Sequence, residues 1–178
     1  MIFSLFKKNR DADAVHAVYS AIVAQSRRPE FYAEWAVPDT VTGRFDMISL
    51  HVALLFRRLR GQTGPEREFA QAVFDLFFAD MDRSLREMGV TDMGVPKKIQ
   101  KMGNIFFGLL AAIDAPMKFQ NRDGVRAALS RNIYDAAEPD GAGHLADYVM
   151  MQDAHLATQK ADEIMAGRIE LAPVRIAA

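Results

Sequence analysis

Histidines and carboxylates come first, because a metal centre or a general acid–base pair needs them at helix or turn spacing. The chain has four histidines, His16, His51, His144 and His155, among 178 residues. No two stand four apart, so the helical zinc-protease motif is absent. His144 and Asp147 have the i, i+3 spacing of one helix face, whereas Asp153 and His155 do not. Polar residues on a polar helix account for both pairs, and no metal site is expected. Asp80 and Asp82 are two apart, so a helix turns them to different faces. Asp80 does not open a calcium loop either, since the helical pattern continues through Glu87. Gly103 and Gly108 have the outer spacing of a phosphate loop but lie in an apolar helix with no lysine behind them, which marks close helix packing. No serine-nucleophile elbow occurs, and the lack of cysteine removes disulfides, thiolate metal sites and cysteine nucleophiles. No catalytic residue and no cofactor are assigned. An enzyme on this chain would need carboxylates gathered around His51 or His155 from distant segments.

One cluster breaks a local rule. Pro96 suits the first turn of a helix, which puts Lys97, Lys98 and Lys101 at its positive end, where each cation costs a few tenths of a kcal/mol. Only Asp92 is near enough in sequence to offset them. Lys97, Lys98 and Lys101 are therefore the candidate partner-binding edge, suited to an acidic protein segment or to lipid head groups. Arg57, Arg58 and Arg60 fall at a helix C-terminus, where cations belong. Phe74, Phe77 and Phe78 cannot all face one way, nor can Phe106 and Phe107. A ring left outside would offer a hydrophobic groove to a client helix. Trp35 is expected to anchor its loop on the core. Ile2, Phe3, Leu5 and Phe6 precede Lys7, Lys8 and Arg10, a pattern that could dip into a membrane interface.

The elements that hold these residues are helical, and no period-two alternation competes with them. A first helix is expected from Asp11 to Gln25, and a short one over Pro29–Trp35. A loop over residues 36–43 follows. Phe45, Ile48, Val52, Leu55 and Leu59 then repeat at 3, 4, 3 and 4, an amphipathic stripe closed by Gly61. The next helix runs from Gly64 to Gly89, and another from Pro96 to Met117. That last helix is apolar on most sides and is expected at the centre. A shorter helix covers Gly124 to Tyr134, residues 137–143 read as a hinge, and a final polar helix spans Leu145 to Met165. The fold class is all-α, a single-domain irregular bundle of six or seven helices. Residues 1–10 are expected to be flexible or membrane-proximal, residues 11–166 to form the helical domain, and residues 167–178 to be a loose tail.

The formal net charge is −1, without the basic footprint of DNA binding. It conceals an asymmetry. Residues 1–60 hold nine Lys/Arg and six Asp/Glu, whereas residues 138–165 hold six acids and Lys160 alone. The two regions are expected to pair within the molecule. No secretory signal is read at the start, and the apolar run from Met102 to Ile113 is too short to span a bilayer.

Several ungapped blocks resemble the ubiquinol–cytochrome c chaperone family. They are Trp35-Ala-Val-Pro-Asp-Thr-Val-Thr-Gly-Arg-Phe-Asp46, Leu50-His-Val-Ala-Leu-Leu-Phe-Arg-Arg-Leu-Arg60, Phe78-Ala-Asp-Met-Asp82, Leu85-Arg-Glu-Met-Gly-Val-Thr-Asp92, Val95-Pro-Lys-Lys-Ile99 and Lys101-Met-Gly103. The resemblance covers roughly residues 15–135. It implies an all-α, non-enzymatic assembly factor for respiratory complex III, whose partner is newly made cytochrome b. In mitochondrial relatives it implies work near the ribosome exit and the inner membrane, together with a small partner subunit. With no Arg-rich, Ser-rich presequence, this chain resembles a bacterial, cytoplasmic version, peripheral on the inner membrane. The resemblance leaves Lys97, Lys98 and Lys101 as the partner edge, and gives Asp39, Arg44 and Asp46 structural work in the loop and the following helix cap. Leu109 and Ile113 depart from the family, which often has Arg and Tyr there. The other reading of the sequence is a peripheral lipid- or quinone-binding helical protein.

Overall fold

The computed structural model describes residues 2–60, 64–134 and 141–175, with side chains from residue 11 onward. Its described residues contain no strand. Six helices of eight residues or more are α1 (Ile2–Ser26), α3 (Val41–Leu59), α4 (Gly64–Glu87), α5 (Val95–Lys118), α6 (Arg122–Leu129) and α7 (Ala142–Thr158). Two five-residue helices, α2 (Pro29–Ala33) and α8 (Ala161–Met165), complete the set, and α6 widens into a π turn over Ser130–Tyr134.

The centre is α3 rather than α5. Thirteen of its 19 residues are buried, including the whole stripe Phe45, Ile48, Val52, Leu55 and Leu59. Helix α5 buries five of its 24 residues, Val95, Phe106, Leu109, Ile113 and Met117, all on one side. The apolar run of α5 had suggested a position enclosed on all sides. Its outer face is instead made of small residues that stay in solvent. Leu109 and Ile113 are on the buried side, where they are 1% and 0% exposed.

Local chemistry sets the helix ends. Thr40 is the N-cap of α3, and its hydroxyl accepts from the Gly43 amide at 3.0 Å. Asp39 and Asp46 therefore do not cap it. Asp39 instead accepts from Arg44 Nε at 2.7 Å. Helix α3 starts at Val41, so the last three residues of the expected loop are helical; glycine is required at 43 because a Cβ there would lie 1.9 Å from the Pro38 carbonyl oxygen. Gly89 ends the α4 region at φ 81°, and the Val90 amide reaches back to the Leu85 carbonyl. The expected stop at Gly61 lies outside the described residues, as does most of the 137–143 hinge.

The final helix departs from expectation. It breaks at Gln159–Lys160 into α7 and α8, and α7 is not polar, since Leu145, Ala146, Tyr148, Val149 and Leu156 are buried. The described part of the tail, residues 168–175, is held rather than loose. The Gln25 side chain donates to the Ala172 carbonyl, and the Gln152 side chain accepts from the Ala172 amide. Gln159 both donates to the Glu170 carbonyl and accepts from its amide, completing the clamp. Ala172 and Val174 are buried as a result. Pairing between the charged ends is present in part: Arg57 joins Asp153, and Arg58 donates to the Leu156 and Gln159 carbonyls at the open end of α7.

Two buried groups on α3 titrate in opposite senses. The His51 Nδ1–H donates to the Met47 carbonyl at 2.7 Å, and Nε2 accepts from the Tyr148 hydroxyl at 2.7 Å. Burial holds this imidazole neutral, lowering its pKa from 6.5 to about 4. Asp46 is 5% exposed, its Oδ1 has no partner among the described residues, and burial pushes its carboxyl up from 3.8 to about 7. Below about 6.5 the unfolded chain protonates His51 while the fold does not, so this site adds stability as pH rises from about 4 to 6.5. Asp46 keeps a proton that the unfolded chain has released, so its contribution falls as pH rises from about 4 to 7. Each slope is at most ~1.4 kcal/mol per pH unit, and the two oppose one another. Asp46→Asn is expected to turn a nearly flat urea-midpoint profile between about pH 4 and 6.5 into one that rises with pH. A profile unchanged by the substitution would contradict the buried, protonated carboxyl.

Candidate interaction surface

The catalytic candidates do not converge. His51 is sealed in the core against Ser26, the Met47 carbonyl and Tyr148, with no carboxylate among these partners. Asp80 accepts from the Tyr19 hydroxyl at 2.8 Å, and Asp82 pairs with Arg86. Asp147 is bound by Arg122, Asp153 by Arg57, and His144 stacks on Trp35 at 6.1 Å and 20°. Among the described residues no three of His, Cys, Asp and Glu come together as a metal site. Trp35 is 4% exposed and anchors its loop on the core against Phe31 and Tyr148.

The lysine cluster presents a different picture. Helix α5 begins after Gly94 without a side-chain cap, and Pro96 occupies its first turn. Lys97, Lys98 and Lys101 are all exposed there, and none has an ion-pair partner among the described residues. Asp92, the only acid close enough in sequence to offset them, is taken by Arg86 at 2.5 Å. Three cations thus stand uncompensated at the positive end of a 24-residue helix, an arrangement that favours an incoming anion.

Behind the lysines the surface loses its charge. Residues 97, 101, 104, 108, 111 and 115 follow each other at spacings of 4, 3, 4, 3 and 4, and all are exposed. After Lys97 and Lys101 this outward line reads Asn104, Gly108, Ala111 and Ala115, so it is smooth and neutral. A Cβ at Gly108 would meet nothing within 4 Å. Gly108 therefore marks an open face, not the close packing its spacing suggests. Beside this line, Phe107 is 55% exposed with its ring 5.7 Å from Phe74, which itself stacks on Phe78 at 4.4 Å. Met93, in the turn before α5, is 88% exposed, and Met88 is 52% exposed. Asp114, the first charge after Lys101, is bound by Arg57 and Arg60 and held below the usual carboxylate range, chiefly by Arg60.

The surface can therefore seat an apolar polypeptide and hold an anionic group at one end. The sequence points to the three lysines through the broken dipole rule. It also signals that Phe106 and Phe107 cannot both face inward, and the structure leaves Phe107 outside; the sequence does not point to Met93, which lies in the turn before α5. Among the described residues no helix is long and apolar enough to cross a membrane.

Comparison with known proteins covers most of the chain. A family model described as ubiquinol-cytochrome C chaperone matches residues 33–172, from α2 through α8 into the clamped tail. The ubiquinol-cytochrome-c reductase complex assembly factor 1 of Xenopus laevis is 21% identical over 150 residues, covering 83% of this chain and 74% of that protein. The crystal structure of the Cbp3 homolog from Brucella abortus is 37% identical, covers 98% of both chains and superposes with a TM-score of 0.88.

Proposed function

Since this chain belongs to the ubiquinol-cytochrome C chaperone family, we propose that it is a non-enzymatic assembly chaperone that holds newly made cytochrome b while the ubiquinol–cytochrome c oxidoreductase, complex III, is put together. The match over residues 33–172 carries this reading. The α5 surface supports it. A client rich in apolar helices needs neutral, low-relief cover until its own neighbours and haem are in place, and α5 offers such a strip beside an exposed phenylalanine and two exposed methionines. In this reading Lys97, Lys98 and Lys101 engage the client's acidic segment or the head groups where it is inserted, and the protein works as a peripheral component on the cytoplasmic side of the inner membrane.

The first test is genetic. Deleting the gene is expected to remove mature complex III and destabilise cytochrome b; normal complex III levels would reject the role. The second separates the surface from the fold. Lys97→Glu/Lys98→Glu/Lys101→Glu lies on an exposed turn at the positive end of α5 and is expected to keep or raise the melting temperature. It should lower crosslinking to cytochrome b from a photoreactive side chain at Met93 by about tenfold. Full crosslinking by this variant would exclude the lysines from the partner edge while leaving the family role intact.

A further inference from the structure

We infer that the cavity between the end of α1, helix α2 and the loop into α3 is a binding site for a phosphate group, carried by a lipid head group or by a soluble phosphate ester. The cavity is about 390 Å³ and is lined by Arg27, Pro29, Tyr32, Ala33, Asp39 and Arg44. It lies apart from the α5 surface and uses none of its residues.

Two arginines line this cavity, and both guanidinium groups have donors to spare. The Arg27 side chain has no hydrogen-bond or ion-pair partner among the described residues. Arg44 is engaged at Nε alone, where Asp39 accepts at 2.7 Å, which leaves its two terminal nitrogens without a described partner. A guanidinium tethered at Nε presents its NH1/NH2 fork in a fixed direction, and that fork matches two oxygens of a phosphate. Arg44 also lies 6.0 Å from the centre of the Tyr32 ring, and the Tyr32 hydroxyl is committed to the Ser26 carbonyl at 2.7 Å. The ring is thereby a fixed wall rather than a competing donor. Arg28, the neighbouring cation, is occupied by Glu30 at 2.7 Å, so neither of those two charges acts on the cavity floor.

The charge balance selects an anion. Two cations face one carboxylate, and Asp39 already accepts from Arg44, so the lining holds one uncompensated positive charge and at least four free N–H donors. A carboxylate needs only one such fork. Two forks around one cavity suit the non-bridging oxygens of a phosphate, three in a monoester and two in a lipid's diester, and Pro29, Ala33 and the Tyr32 face give an apolar floor for the carbon chain attached to it. The volume falls in the range of small-ligand sites and exceeds what a bare phosphate fills.

The test uses the full chain. Inorganic phosphate and glycerol 3-phosphate are titrated by calorimetry, and phosphatidylcholine vesicles with or without phosphatidylglycerol are tested by co-sedimentation. The expected result is a dissociation constant of roughly millimolar for glycerol 3-phosphate, or sedimentation dependent on phosphatidylglycerol. Either should weaken by about tenfold or more in Arg27→Gln/Arg44→Gln with melting temperature retained. Binding of the ester alone assigns a soluble ligand, and binding of vesicles alone assigns a head group. Equal binding by the wild type and the double variant, or binding by neither, overturns the site. Vesicle binding lost only in Lys97→Glu/Lys98→Glu/Lys101→Glu also overturns it, by moving the lipid contact to α5.

Discussion

Truncating Phe31 to alanine is expected to destabilise the protein by about 3–5 kcal/mol, roughly a fifth or more of the stability of an ordinary domain. Phe31 is fully buried although it comes from a helix of only five residues. Its ring lies 5.4 Å from Trp35, 5.9 Å from His51 and 5.0 Å from Tyr148, each in an edge-to-face arrangement. One side chain therefore joins α2, its following loop, α3 and α7. A helix this short has no stability of its own, so α2 depends on that ring for its place. The melting temperature should fall by roughly 6–20 °C. Phe31→Leu, which keeps much of the volume, should lose less than half as much. A loss below about 1 kcal/mol for the alanine variant would mean that α2 is held by its backbone bonds instead.

Gly141→Ala should be nearly as severe, for the opposite reason. A Cβ there would stand 1.6 Å from the Trp35 carbonyl oxygen and 2.3 Å from its carbon. Both partners are backbone, and the same oxygen accepts from the Tyr134 hydroxyl at 2.9 Å, so neither strand of chain can step aside cheaply. The cost of such overpacking is about 3 kcal/mol or more. Gly108→Ala is the control, since a methyl group there meets nothing within 4 Å. Helix propensity alone should make that variant up to ~1 kcal/mol more stable. If calorimetry found the two alanines equal, the close approach of the α7 start to the Trp35 loop would be refuted.

These two positions illustrate what the amino-acid order discloses. The period of α3 was readable because Phe45, Ile48, Val52, Leu55 and Leu59 recur at 3 and 4 without interruption. Glycines 43 and 141 were not, because the constraint on each comes from a carbonyl five or more than a hundred positions away. The same holds for α5. Twelve consecutive residues there carry no charge, and hydrophobicity by itself cannot tell a helix surrounded by protein from one with a bare outer face. The lysine edge was legible because it violates an electrostatic rule within one turn, a strictly local signal. Its lack of compensation was not, since it required knowing that Arg86 reaches Asp92 across the α4–α5 turn. The Arg27–Arg44 cavity gave no sign either. Each arginine taken alone resembles an ordinary surface cation, and only the return of the chain through Pro29 and Asp39 sets them around one space.

The glutamine clamp has a consequence for how the molecule is made. Gln25 reaches Ala172 across 147 positions of sequence, and Gln152 and Gln159 need the same terminal stretch. During synthesis the Gln25, Gln152 and Gln159 amides lack these partners until Glu170 and Ala172 have been made. The fastening therefore forms only after every described helix, α1 through α8, has been made.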